Sequence, residues 1–170
     1  MRTYHQRRAL DLLMKNSSLA RKVHIFELAR EGCELTGNFS ESWLYTHAKV
    51  YMADDEFMLV GSHGIEQVGL TNDIEVSLGV TDGTRGPDSF VGMHRRKIWA
   101  EFLRVGISDP NLRQVSSGVE EFKRQAETGK NRVRHYYPPL VENTRAADQI
   151  YDVYEPEGRC QPRKDKTMYV

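Results

Sequence analysis

The chain has 170 residues and a mass of 19.6 kDa, with 39% hydrophobic and 28% charged residues, which suits one soluble globular domain with a real core. Lysine plus arginine equal aspartate plus glutamate at 24 each, so no overall field draws it to nucleic acid or to an anionic membrane. Its two cysteines, Cys33 and Cys160, are far apart and show neither CxxC nor Cys/His spacing, so neither a disulfide framework nor a zinc site is indicated.

The opening MRTYHQRRALDLLM lacks the apolar core and cleavage site of a signal peptide, and no apolar run approaches the ~18 residues of a membrane span. Residues 4 to 15 place Ala9, Leu10, Leu13 and Met14 on one side of a predicted helix, which the following Asn-Ser-Ser should end. KVHIFEL, 22 to 28, reads as a short strand, with His24 as a buried structural residue. ESWLYTHAKVYMA, 41 to 53, alternates so that Trp43, Tyr45, His47, Lys49 and Tyr51 share one face of a strand. Asp54-Asp55 is turn chemistry, and EFMLVGS is a second strand that pairs back as a hairpin.

DIEVSLGV, 73 to 80, is a predicted third strand, followed by a loop, TDGTRGPD, rich in glycine and proline. Asp88 or Ser89 can cap a helix that reaches about Val105, with Phe90, Ile98, Phe102 and Val105 near helical spacing and His94-Arg95-Arg96 as a solvated face. A further helix is predicted from about 111 to 128. HYYPPL and the end EPEGRCQPRKDK predict irregular structure. In that region Arg132, Arg134 and His135 with Tyr136 and Tyr137 can hold a lipid headgroup or a base through charge and stacking, or form a solvated tail.

The strand around His47 carries the chemistry. Residues i and i+2 of a strand point the same way about 6.5 to 7 Å apart, so His47 and Lys49 project side by side. A neutral imidazole is a nucleophile or base near neutral pH, and a neighbouring ammonium suits a phosphate oxygen. Asp54, in the closing turn, can return to orient an imidazole; Gly61 permits close backbone approach; Ser62 offers a hydroxyl. These groups suit attack on a phosphodiester. On the residues alone, a hairpin whose polar face meets solvent is an equal alternative.

The spacing H-x-K-x4-D-x6-G-S, here His47, Lys49, Asp54, Gly61 and Ser62, resembles the HKD motif of the phospholipase D superfamily. YTHAKVYMADDEFMLVGS is similar to the second motif of eukaryotic-type phospholipases D, NDIEV resembles the acidic strand that follows it, and GMHRRKIWAEFL resembles the family's Leu-Trp-x-Glu-His helix. The resemblance covers roughly residues 5 to 106. It implies an α/β fold, a phospholipase D-like half whose mixed sheet is flanked by helices, over 1–130, lacking some N-terminal strands and followed by an irregular extension at 131–170.

In that family two HKD motifs, from two halves of a chain or from two subunits, make one active site without a metal or other cofactor. The resemblance makes His47 the nucleophile or general acid, Asp54 the motif's acid, Lys49 and Ser62 phosphate ligands beside Gly61, and Glu75 a group that orients the opposing histidine. It implies a phospholipid substrate, contact with a membrane surface, and a second HKD half from a homodimer or from sequence preceding this chain. A truncated or degenerate non-catalytic domain is the alternative, and so is an HKD nuclease, against which the even charge balance weighs. Where the family has Gly-Ser-x-Asn, this chain has Gly61-Ser62-His63-Gly64, and His63 reads either as a compensating group or as a surface histidine.

Overall fold

The computed structural model describes residues 10–30, 44, 46–64, 74–129 and 131–136. A hairpin stands at its centre. β2 (Lys49–Ala53) and β3 (Phe57–Gly61) pair antiparallel through the rungs Lys49 to Gly61, Tyr51 to Leu59 and Ala53 to Phe57. Asp54 and Asp55 both take left-handed φ of 53°, which short polar side chains tolerate, and the Glu56 N–H closes the turn on the Ala53 carbonyl at 3.0 Å. β4 (Ser77–Thr81) adds to β3, with Gly61 opposite Ser77 and Leu59 opposite Gly79.

The strand period of two divides this sheet chemically. Lys49, Tyr51, Leu59, Gly61 and Ser77 belong to one face; Val50, Met52, Met58, Val60, Leu78 and Val80 belong to the other.

The main core lies beside the hairpin. α1 (Phe90–Leu103) starts where the Ser89 hydroxyl accepts the Gly92 N–H at 2.9 Å, and ends at Arg104 in a left-handed cap. Asp82 adds a second cap by accepting the Phe90 N–H at 2.7 Å, a bond that helps hold its carboxyl below the ordinary range. A short 3-10 turn, Pro110–Leu112, then leads to α2 (Val115–Glu127). Ala100, Leu103, Leu112, Phe122, Ala126 and Val133 form the buried cluster, with Phe26, Leu28 and Trp99 packed on it. A β-carbon at Gly118 would strike the Trp99 ring, so glycine lets α2 approach α1 there. β1 (Phe26–Leu28) pairs antiparallel with β5 (Val133–His135) and closes the core.

The α/β class expected from the sequence holds: helices pack on antiparallel sheets. Several details differ. The first helix stops at Asn16 as expected, residues 10–15 being helical, but the Asn16 side chain then caps a further helical turn, Ser17–Ala20, by accepting from Ser18 N. The first strand shrinks to Phe26–Leu28, leaving His24 exposed ahead of it rather than buried within it. β2 begins at Lys49, with His47 outside the ladder, and β4 begins at Ser77. Residues 1–9, 31–43, 45, 65–73, 130 and 137–170, with Trp43, Tyr45 and both cysteines, lie outside the described residues.

Two corrections concern charge. Val133–His135, at the start of the stretch expected to be irregular, is a strand, because Val133 is buried in the core and the backbone finds its partners on β1. Arg95, expected on a solvated helix face, is 4% exposed. The buried stripe of α1 runs through Val91, Arg95, Ala100 and Leu103, while Phe90 is exposed.

Candidate functional site

The open end of the hairpin gathers the candidate residues. Lys49 ends its ladder, and its ammonium lies 2.9 Å from Nε2 and 3.0 Å from Nδ1 of His47. A neutral imidazole has one lone pair to offer, so the ammonium spends at most one proton on the ring and keeps others for an anion. His47 is exposed and Lys49 half-buried, which leaves the pair open to a substrate from solvent.

Across the ladder, Gly61 faces Lys49 on one side and Ser77 on the other. A β-carbon at Gly61 would collide with Ser77 Oγ, so only glycine lets that hydroxyl lie over the strand. Ser62 follows. Its hydroxyl donates to Glu75 Oε2 in a short contact and accepts the Val76 N–H at 3.1 Å. The sequence expectation gave Ser62 to phosphate and Glu75 to a histidine; here the two hold each other, and Ser62 has committed its single proton to the carboxylate.

Asp54 is not brought to His47. β2 is extended, placing ~13 Å of strand between Lys49 and Ala53, so the turn lies at the far end of the hairpin from the imidazole. The residue after it matters more to the structure. Asp55, 7% exposed, accepts from Arg95 Nε at 2.6 Å and from Nη2 at 2.8 Å. Arg95 also donates to the carbonyls of Leu112 at 2.9 Å and Arg113 at 3.2 Å, and its guanidinium lies 4.8 Å over the Trp99 ring. The Asp55 carbonyl in turn accepts from Ser89 Oγ. The hairpin that carries Lys49 is therefore bolted at its turn to α1 and to the loop before α2.

Sequence reasoning missed this bolt. The Asp-Asp turn and the His94-Arg95-Arg96 run were both visible, but nothing local paired residue 55 with residue 95. Of the basic residues near β5, Arg132 donates to Glu101 Oε1 at 2.8 Å and Arg134 is 2% exposed beside Glu27 on the opposing strand, so neither is a solvated tail residue. Among the described residues no group of three or more His, Cys, Asp or Glu could hold a metal ion, and no helix is long and apolar enough to cross a membrane.

Comparison with known proteins gives a partial similarity. Phospholipase D gamma 1 of Arabidopsis thaliana is 35% identical over 80 residues, and Phospholipase D delta of the same plant is 35% identical over 75 residues. Each match takes in 39% of this chain and 9% of the relative, so the chain spans a small fraction of the relatives it matches. No family model matches the chain, and no solved structure matches it. At this level the similarity points to a relationship with the phospholipases D.

Proposed function

We propose that the chain is one half-site of a phospholipase D-type phosphodiesterase, which hydrolyses a phospholipid or transfers its phosphatidyl group. The observation that carries this reading is the ammonium of Lys49 set against the His47 ring at the open end of the hairpin. The similarity to two plant phospholipases D supports it. In the two-histidine reaction one imidazole nitrogen bonds to phosphorus as the phosphorus–oxygen bond to the leaving alcohol breaks. A second imidazole gives that alcohol its proton. Water or another alcohol then attacks phosphorus and frees the imidazole. His47 takes one of those two roles, Lys49 neutralises the phosphoryl oxygens, and the other imidazole comes from a second HKD half.

The test is turnover of phosphatidylcholine, with and without a primary alcohol, by the chain supplied with an N-terminal HKD half. His47→Ala should lower turnover by at least the roughly 10² to 10⁴ typical of lost acid–base catalysis while circular dichroism stays unchanged. Near wild-type turnover in that variant would sink the assignment. A second reading, phosphate binding without turnover, is favoured by the bond between Ser62 and Glu75, which occupies the hydroxyl expected to hold substrate. It predicts headgroup binding with no product even when the other half is present.

A further inference from the structure

His63 lies outside the motif, yet two independent contacts hold its ring over the face that carries Lys49. Tyr51, on that face, stacks on it with centroids 5.4 Å apart and planes inclined by 23°, and the Tyr51 hydroxyl donates to the His63 carbonyl at 3.2 Å. Ser77, opposite Gly61 on the same face, meets Nδ1 through its hydroxyl. The Ser77 hydroxyl that makes the second contact lies where a side chain at Gly61 would be. The ladder adds a third relation: His47 and His63 each lie two residues beyond the last rung, Lys49 to Gly61, at the same end of the hairpin.

The chemistry of the ring follows from Ser77. The contact fits either ring tautomer; in the one the proposal takes, the Ser77 hydroxyl donates to Nδ1 and the ring proton sits on Nε2, where it can be donated without a positive charge. We propose that His63 is a ligand for a phosphoryl oxygen at this site, with Ser77 and Tyr51 as the residues that position it. The proposal rests on the functional assignment of His47 and Lys49 and adds a donor to a site where the Ser62 proton is committed to Glu75. Its ligand is a tetrahedral phosphate, either free or as the diester of a headgroup.

The experiment is calorimetric titration of the whole chain with inorganic phosphate and, separately, with glycerophosphocholine, which distinguishes free phosphate from a diester. His63→Ala should weaken binding of the preferred probe about tenfold or more, as expected for a lost hydrogen bond to a charged group. His63→Gln, which can place an N–H near the position of Nε2, should retain most of the binding, and Ser77→Ala should fall between the two. Circular dichroism establishes that each variant is folded. If His63→Ala binds like wild type while Lys49→Ala does not, the inference is overturned and the site stands. Equal loss in His63→Gln and His63→Ala also overturns it, since the ring would then act only by packing on Tyr51. Unchanged binding in Lys49→Ala, or no binding of either probe by wild type, removes the underlying site assignment as well.

Discussion

Arg95 and Asp55 illustrate how one residue pair can decide whether a surface hairpin is held in place. Both are buried, and their two-pronged contact is completed by the Leu112 and Arg113 carbonyls. Taking two charges out of water is costly, so the pair is weak evidence for added stability, but removing one partner strands the other. Arg95→Met should therefore destabilise the chain by about 3 to 5 kcal/mol in urea unfolding. Adding Asp55→Asn should recover part of that loss, because the stranded carboxylate becomes neutral and Asn still tolerates the left-handed turn. A double variant less stable than Arg95→Met alone would show that the loss comes from packing on Trp99 rather than from the buried charge. The sequence could not reveal this pair, since an arginine in a His-Arg-Arg run has the signature of a solvated face and its partner is forty positions away. The neighbours His47 and Lys49 were legible because they stand two residues apart, so a local spacing is enough for them to meet even though His47 lies just outside the ladder.

At the scale of elements, what could be read was local and what could not was distant. The hairpin announced itself by alternation around Asp54-Asp55, and α1 by its Ser89 cap, since turn and cap signals act within a few residues. The pairing of β1 with β5 was not legible: two three-residue strands about a hundred positions apart carry too little pattern to reveal their register. That ladder also carries a pH-sensitive group. Burial pushes the Glu27 carboxyl up from 4.5 to about 6, with Arg134 across the ladder pulling the other way. The folded chain thus holds this proton more tightly than the unfolded chain does. Its contribution to stability is full below pH 4.5, is lost as pH rises to about 6, and stays lost above. Glu27→Gln fixes the neutral form, so its melting temperature should exceed that of wild type at pH 7.5. The gap should shrink as pH falls from about 6 towards 4.5. A gap that is flat across this window would place the burial cost elsewhere.

For the whole molecule, the sheet has two unlike faces. Val50, Val60 and Leu78 remain exposed on the aliphatic face, while the other face carries Lys49, Tyr51 and Ser77. The proposed chemistry is likewise incomplete within one chain. One imidazole cannot both hold the phosphoryl group and protonate the departing oxygen, so His47 supplies half of a two-histidine reaction. His63 does not fill the gap, because in the proposed site its ring, held by Ser77, is a phosphate ligand and not a second reacting imidazole. A two-fold dimer could bring two copies of His47 together, since an isologous contact repeats the same residue across the axis. In that case specific activity would rise with concentration, and an excess of His47→Ala chain would poison it by forming mixed dimers. A half supplied in trans predicts the opposite pattern. The isolated chain is then inactive at every concentration, and turnover appears only when a polypeptide carrying an N-terminal HKD half is added. We expect this second pattern, because β2 and β4 are edge strands of their sheet among the described residues, and such edges favour disordered association over an orderly dimer. Strong turnover from a preparation that light scattering shows to be purely monomeric would refute the half-site altogether, because a single chain would then be supplying both proton transfer and the covalent link to phosphorus.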